Sequence, residues 1–232
     1  MPTLAVILAG GRGTRLRCLV AGPKVLVPFA GRPFLDHLLS DLAAQGIREV
    51  LLLTGFGHRR VRAFAGNGRK WGLRLRYAVE RGRLLGTGGA VRRALPRIGS
   101  RTFFLLNGDS FFRASLPRLA AFHRERRAAV TLAVVRVPDV SRYGSIRLGR
   151  EGRIAEFLEK GRKGPGWVSM GLYAVDRAAV AKLPAGRPAS IERDLFPKLA
   201  GRGLFAWAAP SAHLDFGTPR SLREARRRYG LK

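Results

Sequence analysis

A short apolar segment that runs directly into a glycine-rich turn is the feature that most constrains the fold of this chain. The segment is Leu4–Ala9, and Gly10, Gly11 and Gly13 follow it. An apolar run of this length, bounded by glycines, predicts a buried strand rather than a helix. Glycines let the backbone turn tightly and bring its N–H groups close to an anion. The pattern therefore predicts a strand followed by an anion-binding turn.

The side chains of the same turn favour a phosphate as the anion. Thr14 supplies a hydroxyl donor, and Arg12 and Arg15 carry planar guanidinium groups that match phosphate oxygens. Two better-known phosphate-binding motifs do not fit the turn. No lysine follows the glycines at the P-loop spacing, and Leu16 stands where a dinucleotide fingerprint needs its third glycine.

Strand and helix patterns alternate through the first half of the chain. The strand-like segments are Leu4–Ala9, Glu49–Thr54, Leu73–Val79, Thr102–Leu106 and Ala129–Val137, and the helical ones are Phe34–Ala43, Val61–Phe64, Ala90–Leu95 and Leu116–Arg126. Such alternation predicts an α/β fold, a mostly parallel open sheet with helices on both faces. In the second half the strand patterns are Ile146–Leu148, Ile154–Leu158, Val168–Val175 and Leu204–Ala208, with helices near Ile191–Leu199 and Pro219–Arg228. Ligands of open sheets bind beyond the carboxyl ends of the strands.

Length and composition narrow the class of protein. The chain has 232 residues, enough for one well-cored domain, and no linker, repeat or low-complexity stretch marks a boundary, so we predict a single domain over residues 1–232. The lone cysteine, Cys18, excludes an internal disulfide and a cysteine-based metal cluster. The amino-terminal apolar run is too short for a membrane span and lacks the basic flank of a signal peptide. We therefore expect a cytoplasmic protein with no membrane partner.

The formal net charge of +29 raises the question of a nucleic-acid partner. The excess comes mostly from arginines that are scattered through predicted helices, loops and strand ends. The densest clusters, Arg124–Arg127 and Arg223–Arg228, have the pattern of solvated helix faces. We interpret the charge as compositional bias and predict no nucleic-acid binding; a selected polyanion surface is the alternative.

A series of motifs, in order along the chain, resembles the sugar-1-phosphate nucleotidylyltransferases, the enzymes that make NDP-sugars. The motifs are Gly10–Leu16 with Pro23–Lys24, Gly31–Leu35, Glu80, Gly86–Ala90, Asn107–Asp109, Arg142–Gly144, Glu159–Lys160 and Asp215–Gly217. They cover nearly the whole chain and are most similar to the D-glycero-D-manno-heptose 1-phosphate and mannose-1-phosphate guanylyltransferases. The resemblance implies a Rossmann-like nucleotide-diphospho-sugar transferase fold. It also implies that the amino-terminal half binds nucleotide and the carboxyl-terminal half binds sugar.

The reaction that the resemblance implies is the attack of a sugar-1-phosphate oxygen on the α-phosphorus of a nucleoside triphosphate, which expels pyrophosphate. GTP and a heptose or mannose 1-phosphate are the implied substrates, Mg²⁺ is the implied cofactor, and the product would feed polysaccharide biosynthesis. Both reactants are anions, so the protein must mainly position them and neutralise charge. The alternatives are the same reaction with UTP, CTP or dTTP and another sugar phosphate, or a non-catalytic basic binding protein on this fold.

The resemblance assigns the chemistry to a few charged residues. It implies that Arg15 and Lys24 bind the triphosphate, that Asp109 and Asp215 hold Mg²⁺, and that Lys160 binds the sugar phosphate. Asp109 follows an apolar strand and a flexible Asn-Gly, which places a carboxylate at the edge of the predicted sheet. Mg²⁺ prefers one or two carboxylates together with phosphate oxygens and water. Taken alone, Asp109 has the pattern of an ordinary turn aspartate.

The resemblance also implies two sets of binding residues. The nucleotide-binding residues are Ala9, Gly10, Gly11, Gly13, Thr14, Arg15, Glu80, Gly86, Thr87 and Gly88, and the sugar-binding residues are Asn107, Gly144, Glu159, Ser169 and Gly171. Ser169 departs from the asparagine that is common in the family, which leaves the identity of the sugar open. The Glu80 carboxylate can accept from both donors on the Watson–Crick edge of guanine. The alternative is a strand-end glutamate paired with Arg81 or Arg83.

Overall fold

The computed structural model describes residues 1–11, 22–112, 114–158, 161–210 and 213–215. Its strands are β1 (Leu4–Ala9), β2 (Pro28–Phe29), β3 (Arg32–Pro33), β4 (Glu49–Thr54), β5 (Arg74–Val79), β6 (Thr102–Asn107), β7 (Ser110–Phe112), β8 (Val130–Val137), β9 (Ser145–Leu148), β10 (Ile154–Leu158), β11 (Gly166–Asp176), β12 (Leu204–Ala208) and β13 (His213–Asp215). Each strand predicted from the sequence is present, with its ends within two residues of the predicted positions. The structure therefore confirms every predicted strand.

The helices follow the predicted order. They are α1 (Phe34–Ala44), α2 (His58–Ala65), α3 (Gly86–Ala94), α4 (Leu116–Glu125), α5 (Arg177–Ala181) and α6 (Phe196–Leu199), and a single π-helical turn, Ile191–Leu195, leads into α6. The predicted helix Pro219–Arg228 lies outside the described residues. Across the part of the chain that the structure describes, no helix combines the length and the apolar character needed to cross a membrane.

The main sheet has nine strands, and its central order is β10-β9-β11-β6-β1-β4-β5, with β8 paired to β11 and β12. Strands β1, β4 and β5 are parallel, and so are β8 and β12. The pairs β8–β11, β9–β11 and β9–β10 are antiparallel. The predicted open α/β sheet is confirmed. Two further two-stranded sheets pair β7 with β13 and β2 with β3.

The apolar runs form the buried strands, as the sequence predicts. Val6 and Ile7 of β1 and Leu51 and Leu52 of β4 are fully buried. Near-continuous apolar sequence is typical of parallel strands that are covered on both faces. Helix α1 adds a stripe of leucines at helical spacing, Leu35, Leu38, Leu39 and Leu42, each at most 3% exposed.

The chain divides into two compact units built from interleaved segments. The amino-terminal unit contains Pro2–Leu84 and Leu105–Phe111, together with the segment that begins at Leu214. The central unit contains Leu85–Phe104 and Phe112–His213. Strand β6 contributes its first half to the central unit and its second half to the amino-terminal unit. The predicted single domain over residues 1–232 stays a prediction.

Candidate active site

The first cluster of candidate site residues lies at the carboxyl ends of the strands of the amino-terminal unit. Gly10 follows β1, Gly55 follows β4 and Glu80 follows β5. A Cβ atom on Gly10 would lie 3.4 Å from the Glu80 carboxylate and 3.3 Å from the Gly55 nitrogen. The Gly10 carbonyl accepts from the N–H of Phe56 at 3.3 Å. The structure therefore brings two predicted nucleotide-binding residues close together, with the Glu80 carboxylate beside the space that a side chain on Gly10 would occupy.

A buried threonine supports the same cluster. The Glu80 N–H donates to the Thr54 carbonyl at 2.7 Å, which fixes the backbone of the glutamate against the end of β4. Thr54 is fully buried, and its hydroxyl has no hydrogen-bond partner among the described residues. An unpaired buried hydroxyl costs about 1–3 kcal/mol, so it marks a position that needs an explanation. The sequence shows Thr54 as a hydroxyl residue at the end of an apolar strand, but sequence reasoning did not identify it as a site residue.

The second cluster joins Lys24 and Asp109, two residues predicted to act in catalysis. The Lys24 Nζ donates to the Asp109 Oδ2 in an ion pair. The Lys24 side chain is 15% exposed and the Asp109 side chain 35% exposed, so both groups can meet a ligand while remaining partly shielded from water. Lys24 opens a 3₁₀ turn directly after Pro23, and Asp109 stands two residues beyond the end of β6.

Gly108 fixes the place of the carboxylate. Its N–H donates to the Leu8 carbonyl at 3.0 Å, which ties the turn after β6 to β1. A Cβ atom here would lie 2.5 Å from the Leu8 oxygen and 2.7 Å from a methyl group of Val25. Any side chain at this position would force the backbone to move. Glycine is therefore needed here for the turn to hold Asp109 beside Lys24. Sequence reasoning treated this glycine only as flexible.

The turn after β6 also carries side-chain oxygen atoms of the kind that bind metal ions. The Oδ1 atom of Asn107 is buried and has no hydrogen-bond partner among the described residues. Strand β7, which begins one residue after Asp109, pairs with β13, which contains Asp215. The backbone thus places the two predicted metal ligands on neighbouring chain segments. Carboxylate and amide oxygens suit a hard cation such as Mg²⁺. Within the described ranges, no group of three or more His, Cys, Asp or Glu side chains is placed to hold a metal.

In the central unit, the predicted nucleotide-binding glycines pack against the backbone of Ala189. Gly88 and Gly89 donate to the Ala189 carbonyl at 2.8 and 3.1 Å, and Ala189 donates to the Leu85 carbonyl at 2.9 Å. Gly86 has a φ of +72°, and a Cβ atom on it would lie 2.7 Å from the Ala189 oxygen. These glycines therefore have a packing role, and the predicted nucleotide binding by Gly86, Thr87 and Gly88 stays a prediction.

Two of the predicted sugar-binding residues are bonded to each other. The Gly171 N–H donates to the Ser169 Oγ at 3.2 Å, and the Ser169 hydroxyl donates to the Tyr173 hydroxyl at 3.4 Å. The register of β11 against β8 shifts between Ser169 and Tyr173, and Gly171 in this bulge has a φ of +75°. The Ser169 hydroxyl thus already makes two hydrogen bonds inside β11. It has fewer donors and acceptors left for a sugar than the amide of an asparagine would have.

A cavity of about 430 Å³ lies beside Gly144, because Ser145, the next residue, is part of its lining. Its lining includes Trp167 and the cationic residues Arg136, Arg147, Arg162 and Lys163. Sequence reasoning did not identify the four cations as site residues. The Arg147 side chain is already paired with Glu156 at 2.8 Å. The remaining cations give the cavity the character of an anion site.

The cavity adjoins the chain segment that carries the predicted Glu-Lys pair. Leu158 lines it and directly precedes Glu159 in sequence. A Cβ atom on Gly144 would lie 3.6 Å from the Leu158 carbonyl oxygen, so the structure brings Gly144 beside that segment. The predicted site residues Gly13, Thr14, Arg15, Glu159 and Lys160, and the side chain of Asp215, lie outside the described residues.

A buried histidine in the central unit belongs to a different kind of cluster. His123 is 5% exposed, its Nδ1 lies 2.9 Å from the Thr131 hydroxyl and its Nε2 lies 3.4 Å from the Asp176 carboxylate. Asp176 also accepts from the Thr102 hydroxyl at 2.7 Å. Burial lowers the pKa of His123 below its ordinary value, although the neighbouring carboxylate opposes the shift. The cluster is internally satisfied, which is typical of a structural network.

Comparison with known proteins shows which protein family the sequence matches. A sequence model described as nucleotidyl transferase matches residues 4–230. A mannose-1-phosphate guanylyltransferase of Mycobacterium tuberculosis is 40% identical over 220 residues, which cover 93% of this chain and 61% of the relative. A D-glycero-alpha-D-manno-heptose 1-phosphate guanylyltransferase of Aneurinibacillus thermoaerophilus is 31% identical over 225 residues, 96% of each chain. This chain thus spans less than two thirds of the first relative and nearly all of the second.

Solved structures confirm the fold. HddC from Yersinia pseudotuberculosis matches with a TM-score of 0.85 at 28% identity, covering 98% of this chain and 99% of HddC. A crystal structure of HddC complexed with GMP-PN matches with a TM-score of 0.83 at 29% identity, with the same coverage of both chains. A putative glucose-1-phosphate thymidylyltransferase from Bacillus anthracis, 23% identical, shares the fold with a TM-score of 0.84 over 97% of this chain and 94% of its own.

Proposed function

Because the chain belongs to the nucleotidyl transferase family, we propose that it transfers a nucleoside monophosphate from a nucleoside triphosphate to a sugar 1-phosphate. In this reaction an oxygen of the sugar phosphate attacks the α-phosphorus, and the bond from that phosphorus to the oxygen bridging to the β-phosphate breaks. Pyrophosphate leaves with the bridging oxygen, and an NDP-sugar is formed. No proton transfer to carbon and no covalent enzyme intermediate is required. The protein must hold two anions in line.

One observation carries the proposal: the Lys24–Asp109 pair shares the amino-terminal unit with the glycine turn after β1. The pair puts a cation and a carboxylate at the carboxyl end of β6. In the proposed reaction the Lys24 ammonium neutralises charge that develops on the departing pyrophosphate. The backbone of Gly10 and Gly11 approaches the triphosphate without side chains in the way.

The oxygen donors near β6 fit a magnesium ion, which we propose as the cofactor. Asp109 would hold it together with Asp215, an assignment supported by the pairing of β13, which contains Asp215, with β7, which begins directly after Asp109. When bound, Mg²⁺ neutralises phosphate oxygens and orients the α-phosphorus for attack. With Asp109 as a metal ligand, the Lys24 ammonium, which pairs with Asp109 in this structure, would bind phosphate oxygens instead.

We infer that the sugar phosphate enters the cavity of the central unit. Arg162 and Lys163 supply cations for its phosphate, and Trp167 gives an apolar face against which a sugar ring packs. Gly144 has no side chain and so lets the sugar approach the backbone beside Leu158. The product of such an enzyme is a glycosyl donor, and we place the activity in the cytoplasm, where it would supply polysaccharide biosynthesis.

Guanine is the base we propose. Both curated relatives named above are guanylyltransferases, and the HddC complex holds GMP-PN. The Glu80 carboxylate lies over Gly10 at the end of β5. Guanine offers two adjacent donors, N1–H and the N2 amino group, and a carboxylate is an acceptor that can bind both. Uracil and thymine offer one donor between two acceptors, which a carboxylate binds poorly.

A substrate panel tests the proposal. The purified protein is given each of GTP, UTP, CTP and dTTP with mannose 1-phosphate, D-glycero-D-manno-heptose 1-phosphate or glucose 1-phosphate, and pyrophosphate release is measured with Mg²⁺ and with EDTA. We expect the highest kcat/KM for GTP with mannose or heptose 1-phosphate and no turnover in EDTA. A higher value for another nucleotide would contradict the choice of guanine while leaving the reaction class in place.

A non-catalytic binding protein is the competing hypothesis. It predicts no pyrophosphate release with any pair, and no nucleotide that raises the melting temperature. A true substrate at about a hundred times its Kd adds about 2.7 kcal/mol of stability, which a thermal scan detects readily. Binding to duplex DNA is measured in parallel at rising salt. Affinity that persists near 0.2 M salt would support a selected nucleic-acid surface instead of compositional bias.

A further inference from the structure

A carboxylate from a distant part of the chain holds the segment that opens α3. Thr87 donates its hydroxyl hydrogen to Glu192 Oε2 at 3.0 Å, and Ser190 donates to the same oxygen at 2.7 Å. The Thr87 hydroxyl in turn accepts from the N–H of Ile191 at 3.0 Å. Thr87 and Glu192 are 105 positions apart in sequence. We call these four residues the Thr87–Glu192 clasp.

The geometry of the clasp fixes the Thr87 side chain. A hydroxyl has one hydrogen to donate, and that hydrogen points to Glu192 while a lone pair receives Ile191. Hydrogen bonds to a carboxylate are roughly twice as strong as those between neutral groups. Thr87 and Glu192 are both partly buried, so water competes less for these contacts than it would at the surface.

Thr87 is also the one side chain through which this segment can be oriented. Gly86, Gly88 and Gly89 surround it and carry none. The backbone bonds from Gly88 and Gly89 to Ala189 and the side-chain bonds of the clasp both attach the segment to residues 189–192. A segment this rich in glycine can adopt many backbone conformations, and ligand binding restricts it to a few of them, which costs entropy.

We propose that Glu192 is a positioning residue for the nucleotide. Acting through Thr87, it orders Gly86–Gly88 before the nucleotide arrives, and this lowers the entropic cost of binding. The inference rests on the proposed function and on the prediction from the family resemblance that Gly86, Thr87 and Gly88 bind the nucleoside triphosphate. In this proposal Glu192 acts only through Thr87, so it affects nucleotide affinity and leaves the rate of bond formation to other residues.

The test compares Glu192→Ala, Glu192→Gln and Thr87→Val with the wild-type protein. The Kd of GTP is measured by calorimetry, and KM for each substrate and kcat by pyrophosphate release. We expect Glu192→Ala to raise the Kd and KM of GTP about tenfold, with kcat and the KM of the sugar phosphate changed less than twofold. Thr87→Val, which changes a predicted nucleotide-binding residue, should raise the Kd of GTP at least as much. Glu192→Gln keeps an acceptor oxygen for Thr87 and should restore most of the affinity. The double variant Glu192→Ala/Thr87→Val should bind GTP as well as Thr87→Val does, because Glu192 acts only through the contact that Thr87→Val already removes.

Ser115→Ala is the matched control for lost stability. Ser115 caps α4 in the same unit by accepting from the N–H of Arg118, so its loss lowers the melting temperature without touching the clasp. We expect this variant to bind GTP as the wild-type protein does. A rise in the KM of the sugar phosphate instead of that of GTP, or an unchanged Kd in Glu192→Ala, would overturn the inference. Failure of the wild-type protein to bind GTP would instead contradict the proposed function.

Discussion

The two compact units satisfy their polar groups in different ways. In the amino-terminal unit, Thr54 Oγ1 and Asn107 Oδ1 are buried without a partner among the described residues, and both stand at carboxyl ends of strands. Trp71 Nε1 and Arg76 Nε of the same unit are also unpaired, whereas in the described part of the central unit only Ser100 Oγ is. In the central unit, Glu192 accepts from two hydroxyls and Asp176 accepts from Thr102 beside His123.

The contrast is between buried polar atoms without a partner among the described residues and polar atoms that are bonded to one another. A buried polar group without a partner costs free energy, so its presence at a strand end needs an explanation other than stability. A network in which every member is bonded instead rigidifies its surroundings. We therefore expect substitutions at the ends of β4, β5 and β6 to change activity more than stability. Substitutions in the bonded networks should change stability, or ligand affinity through positioning.

The largest effect is expected from Asp109→Asn. The change keeps the size of the side chain but removes the charge that pairs with Lys24 and that would bind Mg²⁺. We expect kcat/KM to fall by about 10²–10³, the loss typical of one group that stabilises charge in the transition state, with an unchanged urea midpoint. Asp41→Asn on α1, where Asp41 accepts from Gln45, is the control and should retain activity. Turnover of Asp109→Asn within a few-fold of wild type would remove Asp109 from the site.

The next largest effect is expected from Gly108→Ala, which changes the backbone directly before Asp109. A methyl group on Gly108 would lie 2.5 Å from the Leu8 oxygen, so Gly108→Ala forces the turn after β6 away from β1. We expect a loss of about 1–3 kcal/mol in the free energy of unfolding, and a fall in kcat because Asp109 moves with the turn. Gly99→Ala is the matched control, since no atom lies within 4 Å of the position its methyl group would take. Equal stability of the two variants would show that the turn accommodates a side chain.

The sequence predicted the strands well because each is an apolar run bounded by glycine or polar residues. It placed the start of α3 at Ala90, although the helix begins at Gly86. Glycine disfavours a helix, and the first turn forms here because Ala189 accepts the N–H groups of Gly88 and Gly89. That contact is made by a residue about a hundred positions away, and no local pattern reveals it.

The candidate site was predicted residue by residue but not as a set of contacts. The motifs identified Lys24 and Asp109 separately, and the structure shows that they form an ion pair. Strands β7 and β13, which bring the backbone of Asp215 to the segment after Asp109, are only three residues each and leave no periodic signal. Pairing between segments so distant in sequence is decided by tertiary packing.

A smaller effect is expected at the base. If Glu80 selects guanine, Glu80→Gln should lower the ratio of kcat/KM for GTP to that for UTP by about tenfold, which corresponds to about 1.4 kcal/mol. The glutamine presents a donor as well as an acceptor and so repels one of the two guanine donors. Glu49→Gln is the control, because Glu49 stands at the opposite, amino-terminal end of β4 in ion pairs with Arg74 and Arg76. A change in the ratio below threefold would exclude Glu80 as the base-selecting residue.

The smallest effect is a dependence of stability on pH that belongs to the central unit. Burial lowers the pKa of His123 below its ordinary value of about 6.5, so between the two values the unfolded chain binds more protons than the folded one. Stability should therefore rise with pH across this window and fall as pH decreases through it. His123→Gln removes the titrating group, and urea unfolding between pH 5 and 8 should show a flatter profile than wild type. Thr131→Val is the control: it removes the hydroxyl partner but leaves His123 buried, so it should lower stability at every pH while keeping the slope. Equal slopes in wild type and His123→Gln would show that this buried network does not couple folding to protonation.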